Sequence, residues 1–86
     1  MTEWRVILLR PARRYLEQLV KADRQRILDP LLRLEQDPFG TSVKPLEGRP
    51  EWSLRVGSRQ ILLRVDRDQR LLVVTRIGPR GDVYKG

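Results

Sequence analysis

Three residues near the end of the chain are equipped for chemistry: Arg76, Arg80 and Tyr84, in the stretch Arg76-Ile77-Gly78-Pro79-Arg80-Gly81-Asp82-Val83-Tyr84-Lys85-Gly86. A guanidinium presents a planar fork of N–H donors that matches a phosphate, and a phenol can stack on a base or carry a proton. Cysteine and histidine are both absent. Disulfides, thiolate metal sites, the usual acid–base catalyst and the commonest metal ligand are therefore excluded. Acid–base work falls to Glu, Asp, Lys or Tyr.

The elements that must position this tail are legible as patterns. The 86 residues allow one domain, spanning 1–86, with a single small core. Such a chain buries only about 60% of the surface that its unfolded form exposes. Trp4 to Leu9 reads as a short strand. Pro11 suits the first turn of a helix whose apolar stripe is Ala12, Tyr15, Leu16, Leu19 and Val20. Asp23 is placed to cap a second helix with the stripe Ile27, Leu28, Leu31, Leu32 and Leu34; Pro30 should kink it or restart it at Asp29, and Asp37-Pro38-Phe39-Gly40 ends it. Thr41 to Pro50 reads as a connection. Three strand-like runs follow: Glu51 to Val56, Arg59 to Val65, and Leu71 to Ile77. The expected fold is α+β: a two-helix hairpin packed on one face of a small, mainly antiparallel four-stranded sheet, in the order β-α-α-β-β-β.

Gly57-Ser58 fits a two-residue hairpin turn with glycine first. Val56 then opposes Arg59, Arg55 opposes Gln60, and Ser53 opposes Leu62. One face carries Trp52, Leu54, Val56, Ile61, Leu63 and Val65 and should receive the helices. The other carries Glu51, Ser53, Arg55, Gln60, Leu62 and Arg64. On the last strand, strict alternation turns Leu71, Val73 and Ile77 inward and sends Arg76 to the polar face with Leu72 and Val74. Arg55, Gln60, Arg76 and Arg80 would then line a positive surface with Tyr84 at its edge, and Arg64 and Ser53 beside them.

Lys and Arg total 18 against 11 Asp and Glu, a net charge of +7. The excess is mostly arginine, which points to a polyanionic partner, either nucleic acid or an acidic protein; solvated surface charge is the alternative. Ile7, Leu8 and Leu9 form an apolar block too short for a signal peptide or a membrane span, and Arg5 and Arg10 flank it. A cytoplasmic protein with no membrane partner is expected.

Taken together, these segments resemble the RelE/ParE toxin superfamily of toxin–antitoxin systems, closer to its RelE mRNA interferase branch. The resemblance covers nearly the whole chain. It is carried by the opening strand and Arg-rich helix, Leu34-Glu35-Gln36-Asp37-Pro38, Lys44-Pro45-Leu46-Glu47-Gly48, Leu54-Arg55-Val56-Gly57 and Arg76 to Tyr84. It implies the toxin of a type II module: a ribosome-dependent endoribonuclease that cleaves mRNA in the A site, inhibits translation and needs no metal or other cofactor. The implied partners are an acidic antitoxin, the ribosome and its mRNA, with operator DNA reached only through the antitoxin complex.

Carried over to this chain, the resemblance makes Arg80, Tyr84, Arg55 and Glu51 the catalytic candidates, with Arg76, Gln60, Arg59, Ser53 and Arg64 as RNA-phosphate contacts. Gly57-Ser58-Arg59-Gln60 stands where family members often read G-D-Y-R, so Gln60 occupies the place of a frequent catalytic arginine. Lysines that some members carry on the preceding strand fall at Glu51 and Ser53, and a frequent histidine falls at Pro79. An uncharged donor at an oxyanion in place of a charged one commonly costs ~100-fold in rate. Two further readings stand beside the nuclease: a ParE-like DNA gyrase inhibitor, and a catalytically weakened toxin homologue that mainly binds its antitoxin.

Overall fold

Gly57 sets the centre of the fold. The computed structural model describes residues 3–39 and 43–79, and in it Gly57 has φ 59°. Ser58 stays at negative φ, so only the first central residue of the turn is left-handed, which matches the right-handed twist of a hairpin. Strand β3 (Trp52–Val56) and strand β4 (Arg59–Asp66) leave this turn in the expected register: Val56 opposite Arg59, Arg55 opposite Gln60, Ser53 opposite Leu62. A second hairpin turns at 67–70, where Arg70 has φ 56° and Asp66 Oδ1 accepts the Gln69 N–H at 3.1 Å. It returns the chain as β5 (Leu71–Pro79).

Among the described residues the sheet has five strands rather than four, in the order β1-β5-β4-β3-β2. Strand β1 (Arg5–Leu8) pairs parallel to β5, and the remaining pairs are antiparallel. The additional strand, β2 (Val43–Pro45), lies inside the stretch that reads in sequence as a connection. Its three residues are too few for a visible period, and it forms by pairing with β3, Lys44 opposite Ser53.

Strict alternation fails on β5. Leu62 pairs with Arg76 but Leu63 pairs with Val74, so Thr75 is an extra residue and the strand bulges. Its hydroxyl donates to the Leu62 carbonyl at 3.3 Å. The bulge reverses the sidedness expected for the first half of the strand. Leu72 and Val74 face the core with Ile77, while Leu71 and Val73 lie on the opposite face with Arg76.

The helices α1 (Arg10–Glu17) and α2 (Lys21–Leu34) cover the core face. Ala12 and Leu16 from α1, and Ile27, Leu31 and Leu34 from α2, pack on Leu54, Ile61, Leu63, Leu72, Val74 and Ile77. Two stripe residues do not join them: Val20 is 68% and Leu32 is 56% exposed. Helix α1 ends at Glu17, and Val20, not Asp23, is the N-cap of α2. Asp23 sits in the first turn, where a carboxylate favours the helix dipole. Helix α2 runs unbroken through Pro30. A mid-helix proline costs ~3 kcal/mol, and burial of Ile27 and Leu31 on either side of it offsets that cost.

Three contacts fasten the layers. Arg24 of α2 donates to the Leu16 and Leu19 carbonyls, both at 3.0 Å, and so caps the end of α1. Glu35, just beyond α2, accepts the Val6 N–H of edge strand β1 at 2.9 Å. Phe39 packs between Trp4 and Trp52, with ring centroids 5.6 and 5.4 Å away, and Arg67 lies over its ring at 4.7 Å. Among the described residues no helix is long and apolar enough to cross a membrane.

Arg24→Ala frees two helix-terminal carbonyls and should lower the urea-unfolding free energy by about 1.5–3 kcal/mol. Arg26→Ala, which removes only an exposed pair with Asp23, should cost less than ~1 kcal/mol. Equal effects would show that Arg24 does not cap α1.

Candidate functional site

The face of the sheet turned away from the helices collects polar and cationic side chains by register alone. Lys44 stands opposite Ser53, Ser53 opposite Leu62, and Leu62 opposite Arg76, which makes one row across four strands. The neighbouring row is Arg55, Gln60 and Gly78. Adjacent strands lie ~4.8 Å apart, so Arg55 on β3 and the β5 residues are ~10 Å apart across β4. Guanidinium arms from both sides can reach a single phosphate held over Gln60.

The centre of this face is closed to water although no helix among the described residues covers it. Ser53 is 9%, Gln60 6% and Leu62 4% exposed. The Gln60 side-chain amide donates to Ser53 Oγ. Arg55, Lys44 and Arg64 around this centre are exposed, and Arg76 is half-buried. A weakly solvated centre rimmed by cations strengthens attraction for a phosphate relative to open water. Gln60 contributes polarity to that centre and no charge.

Glu51 belongs to the opposite end of the face. It immediately precedes β3, four positions from Arg55, or ~13 Å at strand rise, so the two do not converge on one phosphate. Glu51 is one step beyond the Trp52–Leu63 pair, beside Arg64, and both line a groove of ≈ 780 Å³ with Leu9, Asp66, Val73 and Thr75. Arg49 Nε lies 3.4 Å from Glu51 Oε1, within ion-pair reach, while that buried oxygen accepts no hydrogen bond among the described residues.

Arg59 is on the other side of the sheet. Its Nε donates to the Tyr15 hydroxyl at 3.1 Å, and its terminal nitrogen lies 3.7 Å from Asp23 Oδ2. Opposed to Val56 next to the turn, it faces the helices and ties the β3–β4 hairpin to both of them. Of the sequence candidates, the structure thus gathers Arg55, Gln60, Ser53 and Arg76 around one centre, sets Glu51 and Arg64 together at the far end, and separates Arg59 from both groups. Arg80 and Tyr84 lie outside the described residues. Lys44 was not among the candidates. The one sequence signal for it is the apolar Val43 before it, which marks an inward–outward alternation two residues long. Among the described residues no group of three His, Cys, Asp or Glu side chains is placed to hold a metal ion.

Among the described residues, two helices cover one face of a five-stranded mixed sheet and the second face is cationic. No family model and no curated protein matches the chain by sequence. Solved structures match it closely. A chain of the RelBE2 toxin–antitoxin complex from Mycobacterium tuberculosis superposes with a TM-score of 0.79 at 26% identity, covering 92% of this chain and 100% of that one. The archaeal RelE–RelB complex from Pyrococcus horikoshii gives 0.80 at 24%, covering 93% and 98%. A YoeB/ParE toxin from Agrobacterium tumefaciens gives 0.74 at 20%, covering 88% and 98%. The fold is that of the RelE/ParE toxin superfamily, and RelE toxins, isolated or in RelBE complexes, recur among the structures it resembles.

The placement of Arg59 has a direct test. Arg59→Ala should lower the unfolding free energy by about 1–3 kcal/mol through loss of the Tyr15 and Asp23 contacts, whereas exposed Arg55→Ala should change it by less than ~0.5 kcal/mol. The reverse order in urea melts would mean that Arg59 serves the open face instead.

Proposed function

We propose that the protein is the toxin of a type II toxin–antitoxin pair and that it cleaves ribosome-bound mRNA. The observation that carries this reading is the gathering of Arg55, Gln60, Ser53, Lys44 and Arg76 on the one sheet face that the helices leave free. In the proposed reaction the ribose 2′-OH attacks the adjacent phosphate, and the leaving 5′-oxygen departs from a 2′,3′-cyclic product. Arg55 and Arg76 hold the phosphate from β3 and β5, and the Gln60 amide donates to a non-bridging oxygen. Arg80 supplies the charge that the transition state requires, and Tyr84 stacks on a base or takes part in proton transfer. Arg64 and Glu51 hold the RNA further along the face. The partner that restrains this activity is an acidic antitoxin, consistent with the chain's net charge of +7 and with the RelB complexes among its structural neighbours. The setting is the cytoplasm.

One observation favours a second reading. Gln60 is bonded to Ser53 and carries no charge; on this reading cleavage is lost while binding persists, and the chain is a weakened homologue that mainly binds its antitoxin. Induced expression followed by mapping of mRNA 5′ ends separates the possibilities. Codon-positioned cuts on translated messages are expected, and Arg80→Ala or Arg55→Ala should reduce them by ~100-fold while leaving antitoxin binding intact. Intact mRNA without growth arrest would favour the weakened homologue, and intact mRNA with DNA damage would favour a gyrase poison. Full toxicity of Arg80→Ala would remove the proposed phosphate site.

A further inference from the structure

A second cationic groove lies around the edge of the sheet from the open face. Strand β1 pairs with β5 only as far as Leu8 opposite Val74. Beyond that point β5 has no strand neighbour on this side among the described residues, and α1 begins there. The groove between them, ≈ 440 Å³, is lined by Arg10, Arg14, Tyr15, Gln18, Arg76 and Ile77, with Pro11 at its rim. Three arginines line it. Among the described residues none of the three is in an ion pair or a side-chain hydrogen bond.

This arrangement works against local stability. Arg10 and Arg14 are one turn apart on the same helix face, where like charges repel. Arg10 is the first residue of α1, at the positive end of its dipole, and the first turn holds no acidic residue to offset it. Leu9 at the N-cap supplies no side-chain acceptor. Arg76 is half-buried and unpaired in the same groove. A cluster that violates helix-charge rules without internal compensation is accounted for by an external anion.

We propose that Arg10, Arg14 and Arg76 form a second phosphate-binding groove, which holds the backbone of single-stranded RNA after it crosses β5 from the open face. The inference rests on the RNA reading above and extends it. Arg76 belongs to both surfaces, since it pairs with Leu62 in the open-face row and also lines the groove. An RNA strand can therefore pass from one to the other without leaving a cation. Tyr15 and Pro11 offer flat surfaces on which a base can rest, and the Gln18 amide offers a donor and an acceptor.

The test uses the full chain and labelled oligouridylates of ~4 and ~12 nucleotides, spanning the site sizes of small single-strand binders. Binding is read by fluorescence anisotropy over a salt series. Arg10→Ala/Arg14→Ala should weaken the long oligomer by about 5- to 50-fold and reduce its salt slope by ~1.4, the value for two lost phosphate contacts on a single strand. The short oligomer should bind unchanged, and Arg10→Lys/Arg14→Lys should restore most of the slope. Both arginines are exposed, and a circular dichroism melt no lower than that of the parent chain confirms that the variants fold. An unchanged slope for the long oligomer overturns the groove. So does a result in which the double alanine variant loses only binding to poly-glutamate of matched charge, because the groove would then serve an acidic protein. Arg55→Ala separates the two levels. If it weakens both oligomers while the α1 variants do nothing, only the groove fails; if it too has no effect, the RNA reading fails with it.

Discussion

The inserted residue Thr75 decides what each face of the sheet is for. On a regular strand, Leu72 and Val74 would share a face with Arg76, and either the core would lose two large side chains or the arginine would be buried in it. Because Leu62 pairs with Arg76 and Leu63 with Val74, the two halves of β5 run out of phase. Leu72 and Val74, at 1% and 0% exposure, join Ile77 under the helices, and Arg76 remains available to solvent and ligand. Bulges of this kind re-aim a side chain at the price of one unpaired residue. Here the Thr75 hydroxyl returns a hydrogen bond to the Leu62 carbonyl at the same point.

How much of this was legible in the chain depended on whether a local pattern carried the information. The β3–β4 hairpin was legible because glycine first in a two-residue turn fixes the register, and every cross-strand pair expected from Gly57-Ser58 is present. The inward direction of Arg59 follows from the same register. The bulge was not legible: Leu71-Leu72-Val73-Val74 is apolar at every position and has no period from which to read a face. Strand β2 was missed because a three-residue edge strand exists only through its partner, and with it went Lys44. The two helices were read in the right order, but Val20 and Leu32 were assigned to the core: α1 stops before Val20, and Leu32 lies on the exposed side of α2.

Function divides between the two faces in a way that follows from charge. The helix side uses two arginines internally: Arg24 on the Leu16 and Leu19 carbonyls, Arg59 on Tyr15 and Asp23. Arg59 ties down the hairpin that carries Gln60 and Arg55, so it acts on the site through geometry. Among the described residues, Arg55, Arg64, Arg76 and Lys44 on the opposite side form no ion pair or side-chain hydrogen bond, and they surround a centre of Ser53, Gln60 and Leu62 that water scarcely reaches. Attraction for an anion is strongest where solvent is thinnest, and the row Lys44–Ser53–Leu62–Arg76 spans that region.

The carboxylate of Glu35 on the Val6 amide has a consequence for how copies of this chain behave toward each other. Strand β1 is the outer edge of the sheet, and an outer edge with free amides invites a neighbouring strand to dock and propagate into an aggregate. Glu35 occupies one of those amides at 2.9 Å. A foreign strand would have to displace a charged acceptor and leave it without its partner. The same side chain that fastens α2 to the sheet therefore also guards against uncontrolled self-association at that edge.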